Sequence, residues 1–288
     1  MTASLPSPPP ADVLELLEHG ELEVRGRLLD ASNTTLLTRV SLDGADGWCV
    51  YKPAAGERPL WDFPDRTLAN REVGSYLVSA ALGFDVIPPT VLRDGPFGAG
   101  SVQWWVQAGG TDAAGDPEPG EPGAGLIDVV VPGALPDGWR VVLQGEAPDG
   151  SPVLLAHADD DALRRMAALD IVLNNADRKG GHVLRDLAGA VFGVDNGLTF
   201  NTDHKLRTVL WGWAGEPVPG ELLEPLERLS AQLRGDGLSG RRQLLEQLGT
   251  LLGRPEIERT AQRAAGLVRA GRFPQPRAGR PAIPWPAF

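Results

Sequence analysis

One cysteine, Cys49, stands among 288 residues. That excludes an internal disulfide and argues against a cysteine-based metal site. No apolar run approaches the roughly 20 residues needed to cross a bilayer. The opening segment MTASLPSPPPADVLELL has neither the basic region nor the apolar stretch of a secretory leader, so a cytoplasmic location is expected. A lysine- or arginine-rich stripe is also lacking: 27 basic residues face 38 acidic ones, a formal net charge of −11. This balance speaks against nucleic acid as a partner and predicts weak or no membrane association. It does not oppose polyphosphate binding, because a divalent cation can mediate between an acidic protein and phosphates. No internal repeat is visible.

What remains is an ordinary globular composition, 42% hydrophobic and 23% charged, enough for one large domain or two lobes with a sizeable core. Residues 1–20 read as a Pro/Ser-rich tail and a short helix ending at Gly20. The runs LEVRGRLL, TLLTRVSL and GWCVYKP, separated by polar turns, predict an antiparallel meander. TLANREVGSYLVSAAL (67–82) predicts an amphipathic helix with Leu68, Val73, Tyr76, Leu77 and Ala80 on its apolar face and Gly83 as its C-cap. Strands follow around Val86–Leu92, where Pro88-Pro89 implies an edge or bend, and over SVQWWVQ (101–107). Residues 108–125, nearly all Gly, Pro, Ala and acid, read as a flexible insertion. LIDVVV and WRVVLQGEAPDGSPVLL predict strands with a hairpin at Pro148–Gly150. From about residue 157 to 273 the pattern is mostly helical, and 274–288 form a Pro-rich tail. The units are therefore 1–20, an N-lobe at 21–107, the insertion, a C-lobe at 126–273 and the tail.

Two segments carry the chemistry. NNADRKGGHVL places Asp177 in a polar loop with His182 five residues later. FGVDNGLTF places Asp195 thirteen residues beyond His182, after an apolar run. Phosphoryl transfer needs a carboxylate to orient the attacking hydroxyl, a metal ligand shortly after it, and an aspartate holding metal against the nucleotide phosphates. Asp177, His182 and Asp195 fill those roles in that order. Each acid alone reads as an ordinary turn residue, Asp177 pairing with Arg178 for instance, and His182 alone as a structural histidine.

Upstream, Lys52 ends a strand from which a lysine can reach α- and β-phosphates, although a solvated edge charge is the plainer reading. Glu72 shares the apolar face of its helix and needs a partner, for which Lys52 is the candidate; Arg71 or solvent is the alternative. Ser32, Asn33 and Thr34 occupy the first strand turn, where N–H groups and short hydroxyls can meet phosphates. The turn is not Gly-rich, and an ordinary polar hairpin reads equally well. Lys179, Lys205 and Arg207 are cations near the proposed centre, suited to transferred phosphoryl charge or an anionic substrate.

Together these motifs resemble the phosphatidylinositol 3-/4-kinase superfamily, most closely an actinobacterial branch similar to type II phosphatidylinositol 4-kinases. VYKP, REVGSYLVSAALGFDVIPPT and GSVQWWVQ resemble the lysine strand, C-helix and hinge. ADRKGGH and GVDNG resemble the catalytic loop and metal-binding segment, the likeness spanning about residues 22–215. It implies an α+β, two-lobed protein-kinase-like fold with a β-rich N-lobe and a mostly helical C-lobe. It assigns Lys52 to phosphate contact and Glu72 to pairing with it. Gln103, Trp104, Trp105, Val106 and Gln107 go to the adenine-side hinge, Asp177 to catalysis with Lys179 beside it, and His182 and Asp195 to metal. The implied cofactors are ATP with Mg2+ or Mn2+. The family usually has asparagine at the position of His182 and phenylalanine at that of Asn196, and its palmitoylated cysteine cluster is missing here. The expected activity is transfer of the γ-phosphoryl to a hydroxyl of phosphatidylinositol, a soluble inositol-type metabolite or a protein serine. The last acceptor is suggested by HipA-type bacterial kinases, which share the fold. The alternative is a nucleotide-binding pseudokinase acting as an interaction module.

Overall fold

Apolar residues recurring at helical spacing near the start form α1 (Pro10–His19), whose Val13, Leu16 and Leu17 are buried. In this computed structural model, which describes residues 10–28, 33–121, 123, 125–235 and 242–288, α1 covers one face of a five-stranded antiparallel sheet. The strands are β1 (Glu21–Arg27), β2 (Leu36–Leu42), β3 (Ala45–Pro53), β4 (Thr90–Gly95) and β5 (Gly98–Trp104), in the order β1-β2-β3-β5-β4. Leu36, Val40, Cys49, Tyr51, Val91 and Val102 meet α1 in one apolar cluster. Pairing in β4 begins at Thr90, opposite Gln103, rather than at Val86. Pro88 and Pro89 have no N–H to give a ladder. The chain likewise leaves the sheet after Trp104, so residues 105–107 are connector and not strand.

α2 (Leu68–Leu82) forms where the periodicity predicts, with Gly83 closing it in the left-handed conformation at φ 67°. Its buried face differs from the expected one. Arg71, Glu72, Ser75 and Ser79 are buried, whereas Tyr76 and Leu77 are half-buried and Ala80 is exposed. The cause is that α2 is enclosed on two sides, by β4 and β5 and by α4 (Gly220–Arg234) and α5 (Arg242–Leu251). Its polar positions face the seam between the lobes.

The second lobe begins with a three-stranded sheet of β6 (Ile127–Val130), β7 (Trp139–Glu146) and β8 (Pro152–Ala158), in the order β6-β8-β7. β8 runs through His157, where helical pattern was expected to start. α3 (Asp161–Leu173) follows, capped by Asp160, whose carboxylate accepts the N–H groups of Ala162 and Leu163. The short hairpin β9 (Val183–Arg185) and β10 (Val191–Gly193), then α4, α5 and α6 (Arg254–Ala270), complete the lobe. Leu163, Met166, Leu169, Leu173, Phe200, Trp213, Leu226, Leu229 and Leu267 lie in its core. Residues 109–118 fold back on themselves, with Asp112 accepting from Ala114 and Asp116 N–H groups. No helix among the described residues is long and apolar enough to cross a membrane.

Candidate active site

β3 carries Lys52 into the seam, and the chain turns at once through residues 54–56 to Glu57. The Glu57 carboxylate accepts the Leu68 and Ala69 N–H groups at 3.0 and 2.9 Å, so the residues after the lysine strand fix the start of α2. One helical turn on, the Glu72 carboxylate pairs with the Lys52 ammonium. Its other oxygen accepts the Asn196 N–H at 2.9 Å. Arg71, the alternative partner, turns the other way. It donates to the Thr199 carbonyl at 2.6 Å, pairs with Glu256 on α6 and stacks over Phe63.

From the second lobe come the two loops. α3 ends at Asn174, in the left-handed region at φ 56°, which turns the chain sharply into 175–182. The β9–β10 hairpin explains the thirteen-residue spacing. His182 immediately precedes β9 and Asp195 follows β10, with Val183 paired to Gly193 and the Val194 N–H donating to the His182 carbonyl. Antiparallel pairing therefore sets the imidazole and the carboxylate side by side. Asp195 is itself held at φ 57°, a conformation that Asp and Asn tolerate better than most side chains.

Lys52 Nζ lies 2.9 Å from Asp195 Oδ1, and His182 Nε2 lies 3.4 Å from Asp195 Oδ2. Burial disfavours the lysine's charge, but the combined attraction of Asp195 and Glu72 outweighs it and raises the ammonium's pKa. The facing Lys52 cation in turn holds the Asp195 carboxyl well below the usual range. Burial pushes His182 down to about 4 against the pull of Asp195, leaving a neutral imidazole. Asp177 is raised by burial and by Asp195, with Lys179, 3.5 Å away, pulling in the opposite direction.

Other expected site residues are placed as follows. Ser32 lies outside the described residues. The Asn33 side chain accepts the Arg58 N–H at 2.9 Å, and the Thr34 N–H donates to the Gly56 carbonyl. Both thus pack against the turn after β3. Gln103 is buried and donates to Thr90 Oγ1, inside the sheet, and so does not present its side chain to the seam. The Trp104 ring rests on Gly47, where a Cβ would come within 2.2 Å of it. Trp105 follows at the connector with its indole N–H buried and unpartnered among the described residues. Val106 is buried, and Gln107 ties the 109–110 turn. Lys205 pairs with Asp62 at 2.9 Å under Trp61 and is not drawn to the centre.

A buried polar brace went unread in the sequence. Arg178 does not pair with Asp177. It is fully buried and binds Asp170 of α3, the Val194 carbonyl and the Asn196 side chain. An acid inside the apolar run MAALDIVL was the available signal for Asp170. The 274–288 tail also reaches the loop. The Gly180 N–H donates to the Ala287 carbonyl, and the Phe288 ring covers Gly180 so closely that a Cβ would lie 2.3 Å away.

No family model matches the chain. Over 273 residues it is 46% identical to protein Rv2133c of Mycobacterium tuberculosis (strain ATCC 25618 / H37Rv), covering 95% of this chain and 94% of that one. The chain belongs to the Rv2133c family. Among solved structures it is similar to the Golgi casein kinase with Mn/ADP bound, with a TM-score of 0.52 and 11% identity over 90% of this chain and 74% of that one. A second structure of the Golgi casein kinase aligns with a TM-score of 0.50 and 12% identity, over 90% and 73% of the two chains. At such identities the likeness is one of fold: the chain has a two-lobed, α+β kinase-like architecture.

The donor set suits a divalent cation shared with phosphates. Two donors held near 2.1 Å from one ion at right angles or slightly wider lie about 3.0–3.4 Å apart, and His182 Nε2 and Asp195 Oδ2 are 3.4 Å apart. A neutral imidazole and an ionised carboxylate are the forms that ligate. The second ring nitrogen, Nδ1, is buried with no partner among the described residues. No group of three or more His, Cys, Asp or Glu side chains forms a metal cage among those residues. Two protein ligands with substrate oxygens completing the shell is the usual arrangement for magnesium in nucleotide sites.

Proposed function

We propose that the protein is a phosphotransferase that uses ATP with Mg2+ or Mn2+ to phosphorylate a hydroxyl. The observation that carries this reading is the meeting of Lys52, Glu72, Asp177, His182 and Asp195, brought from a strand, a helix and two loops to one seam. Lys52, kept cationic by Asp195 and Glu72, would hold the α- and β-phosphates. Asp195 and His182 would hold the metal, which would supply charge neutralisation for the nucleotide phosphates. Asp177 would orient the attacking hydroxyl and accept its proton. Its pKa, raised by burial against the pull of Lys179, makes it a better proton acceptor than an ordinary carboxylate. The Mn/ADP in the Golgi casein kinase structure supports the same class of cofactor here. The phosphatidylinositol 3-/4-kinase likeness adds support for a kinase. A lipid acceptor rests on that likeness alone.

The test is calorimetric titration with a non-hydrolysable ATP analogue, with and without metal, followed by labelled ATP with cell extract sorted into lipid, soluble and protein fractions. Asp195→Ala should remove the metal-dependent part of the affinity, and Asp177→Ala should abolish labelling while nucleotide still binds. No binding at millimolar analogue would refute the proposal. Binding without any transfer would favour a nucleotide-binding interaction module.

A further inference from the structure

Although the chain is strongly acidic overall, one face of its second lobe is cationic. The segment 202–207, α6 and residues 272–282 enclose two adjoining cavities of about 210 and 580 Å3. Arg207, Arg259, Arg263, Arg272, Arg277 and Arg280 line them, and among the described residues Asp203 is the only acid on their walls. Among the described residues none of the six arginines has a carboxylate partner. Their recorded bonds go to Gln262 and to the carbonyls of Asn201, Thr202, His204 and Gly215. Lys205 also lines the space, but Asp62 neutralises it. Six guanidinium groups against the Asp203 carboxylate leave these walls strongly positive.

The fold holds these cations together against their own repulsion. Arg263 has a buried guanidinium nitrogen with no partner among the described residues, and burial with neighbouring Arg259 pushes its pKa down to about 10. Burial and then Arg277, Arg263 and Arg280 depress His204. A site that concentrates unpaired guanidinium groups in partly enclosed space suits an oxyanion, which each fork can grip with two hydrogen bonds. The wall continues into the catalytic loop. The Arg207 N–H donates to the Asn175 carbonyl at 2.8 Å, its own carbonyl accepts the Arg178 N–H at 3.1 Å, and its charge reaches Asp177. Trp211 supplies a flat apolar side, fixed by its indole N–H on the Ala282 carbonyl.

We infer that this basic cavity is the acceptor subsite, and that the acceptor is a small hydroxylated compound already bearing a phosphate monoester. The assignment of acceptor rests on the phosphotransferase reading, whereas the anion site stands on its own. In the reaction the acceptor hydroxyl oxygen bonds to the γ-phosphorus, the bridging β–γ oxygen leaves with its electron pair on ADP, and the hydroxyl proton passes to Asp177. The arginines hold the existing phosphate and take no part in that exchange.

Calorimetric titration of the full chain with glycerol 3-phosphate, without nucleotide or metal, tests the site. Saturable binding that weakens with salt and falls at least about tenfold in Arg277→Ser/Arg280→Ser is expected. Both side chains are exposed, so the fold should survive. Arg207→Gln is the second variant and should weaken binding in the same direction. A second arm uses phosphatidylcholine vesicles with and without phosphatidylinositol 4-phosphate. Binding of glycerol 3-phosphate without pelleting assigns a soluble acceptor. Pelleting that needs the phosphoinositide and is lost in the double variant assigns the phosphate to a lipid headgroup. Absence of both, or unchanged binding in the double variant, overturns the anion site. If phosphate binds but no ATP analogue does, the phosphotransferase reading fails and the site stands; the reverse result fails the site alone.

Discussion

Asp170→Ala removes the hub of the buried brace, and its cost can be worked from the contacts. Asp170 and Arg178 have no exposed side-chain surface. The Asp170 carboxylate accepts from Arg178 Nε and Nη2 at 3.1–3.2 Å, and from Asn175 Nδ2 and Thr208 Oγ1 at 3.0 Å. Alanine leaves the guanidinium buried without its counter-charge, a loss of about 3–5 kcal/mol. Spread over a chain of this size, at roughly 2–4 °C per kcal/mol, the melting temperature should fall by on the order of 10 °C. Asp170→Asn keeps the shape but also removes the counter-charge and turns an amide NH2 toward donors, so it should cost about as much as Asp170→Ala. Asp170→Leu with Arg178→Met removes both charges together and should cost less than Asp170→Ala by itself. Thermal unfolding followed by circular dichroism, with urea titration at fixed pH, measures all three. A loss below about 1 kcal/mol for Asp170→Ala, the scale of an exposed ion pair, would refute the reasoning. So would a double variant less stable than the single alanine.

Two further outcomes follow from the structure. His157 and His182 both have folded pKa values near 4, set first by burial, against an ordinary 6.5. The unfolded chain therefore takes up protons that the folded chain does not, and stability should be complete above about pH 6.5 and fall as pH drops toward 4. His157→Gln should flatten that slope in urea midpoints measured across the range, and an unchanged slope would exclude His157 as a source. Gly180→Ala forces a methyl group into the Phe288 ring and should destabilise by about 1–3 kcal/mol. Phe288→Ala in the same chain should recover most of that loss in thermal unfolding, and failure to do so would exclude the ring as the obstacle.

Much of the architecture was legible because its signals are local. Alternation and polar turns marked β1–β3 and Gly83 marked the end of α2, whereas β9 and β10 lie where a mostly helical pattern was expected. The His182–Asp195 spacing was legible because a hairpin of fixed pairing spans it. What sequence periodicity could not give was the orientation of α2. Its charged face points inward because the second lobe covers it, and that fact resides in α4, α5 and α6, more than a hundred residues away. The same holds for Arg178. Nothing next to it in sequence distinguishes a partner at Asp177 from one at Asp170, and only the geometry of the α3 C-terminus turns its side chain back under the loop. The cationic face was hidden for a related reason. Its arginines are spread from 207 to 280 and form no stripe in sequence, while net charge reports only their sum with the acids elsewhere.

The departure at Asn196, where the kinase pattern has phenylalanine, looks different once the contacts are known. A phenylalanine there could pack but could make no side-chain hydrogen bond. Asn196 accepts from Arg178 through its side-chain oxygen and donates to the Gly193 carbonyl through its amide nitrogen, fully buried. Its backbone N–H reaches Glu72, and its carbonyl accepts from Thr199. One residue thus touches the partner of Lys52 through its backbone and the Asp170–Arg178 brace through its side chain. The position of the small-lobe helix is in this way tied to the loop that carries Asp177 by polar contacts, where an apolar residue would tie it by packing. Buried polar contacts of this kind are directional and tolerate little displacement. Through these contacts Asn196 joins the Lys52–Glu72 pair of the first lobe to the Asp170–Arg178 brace of the second.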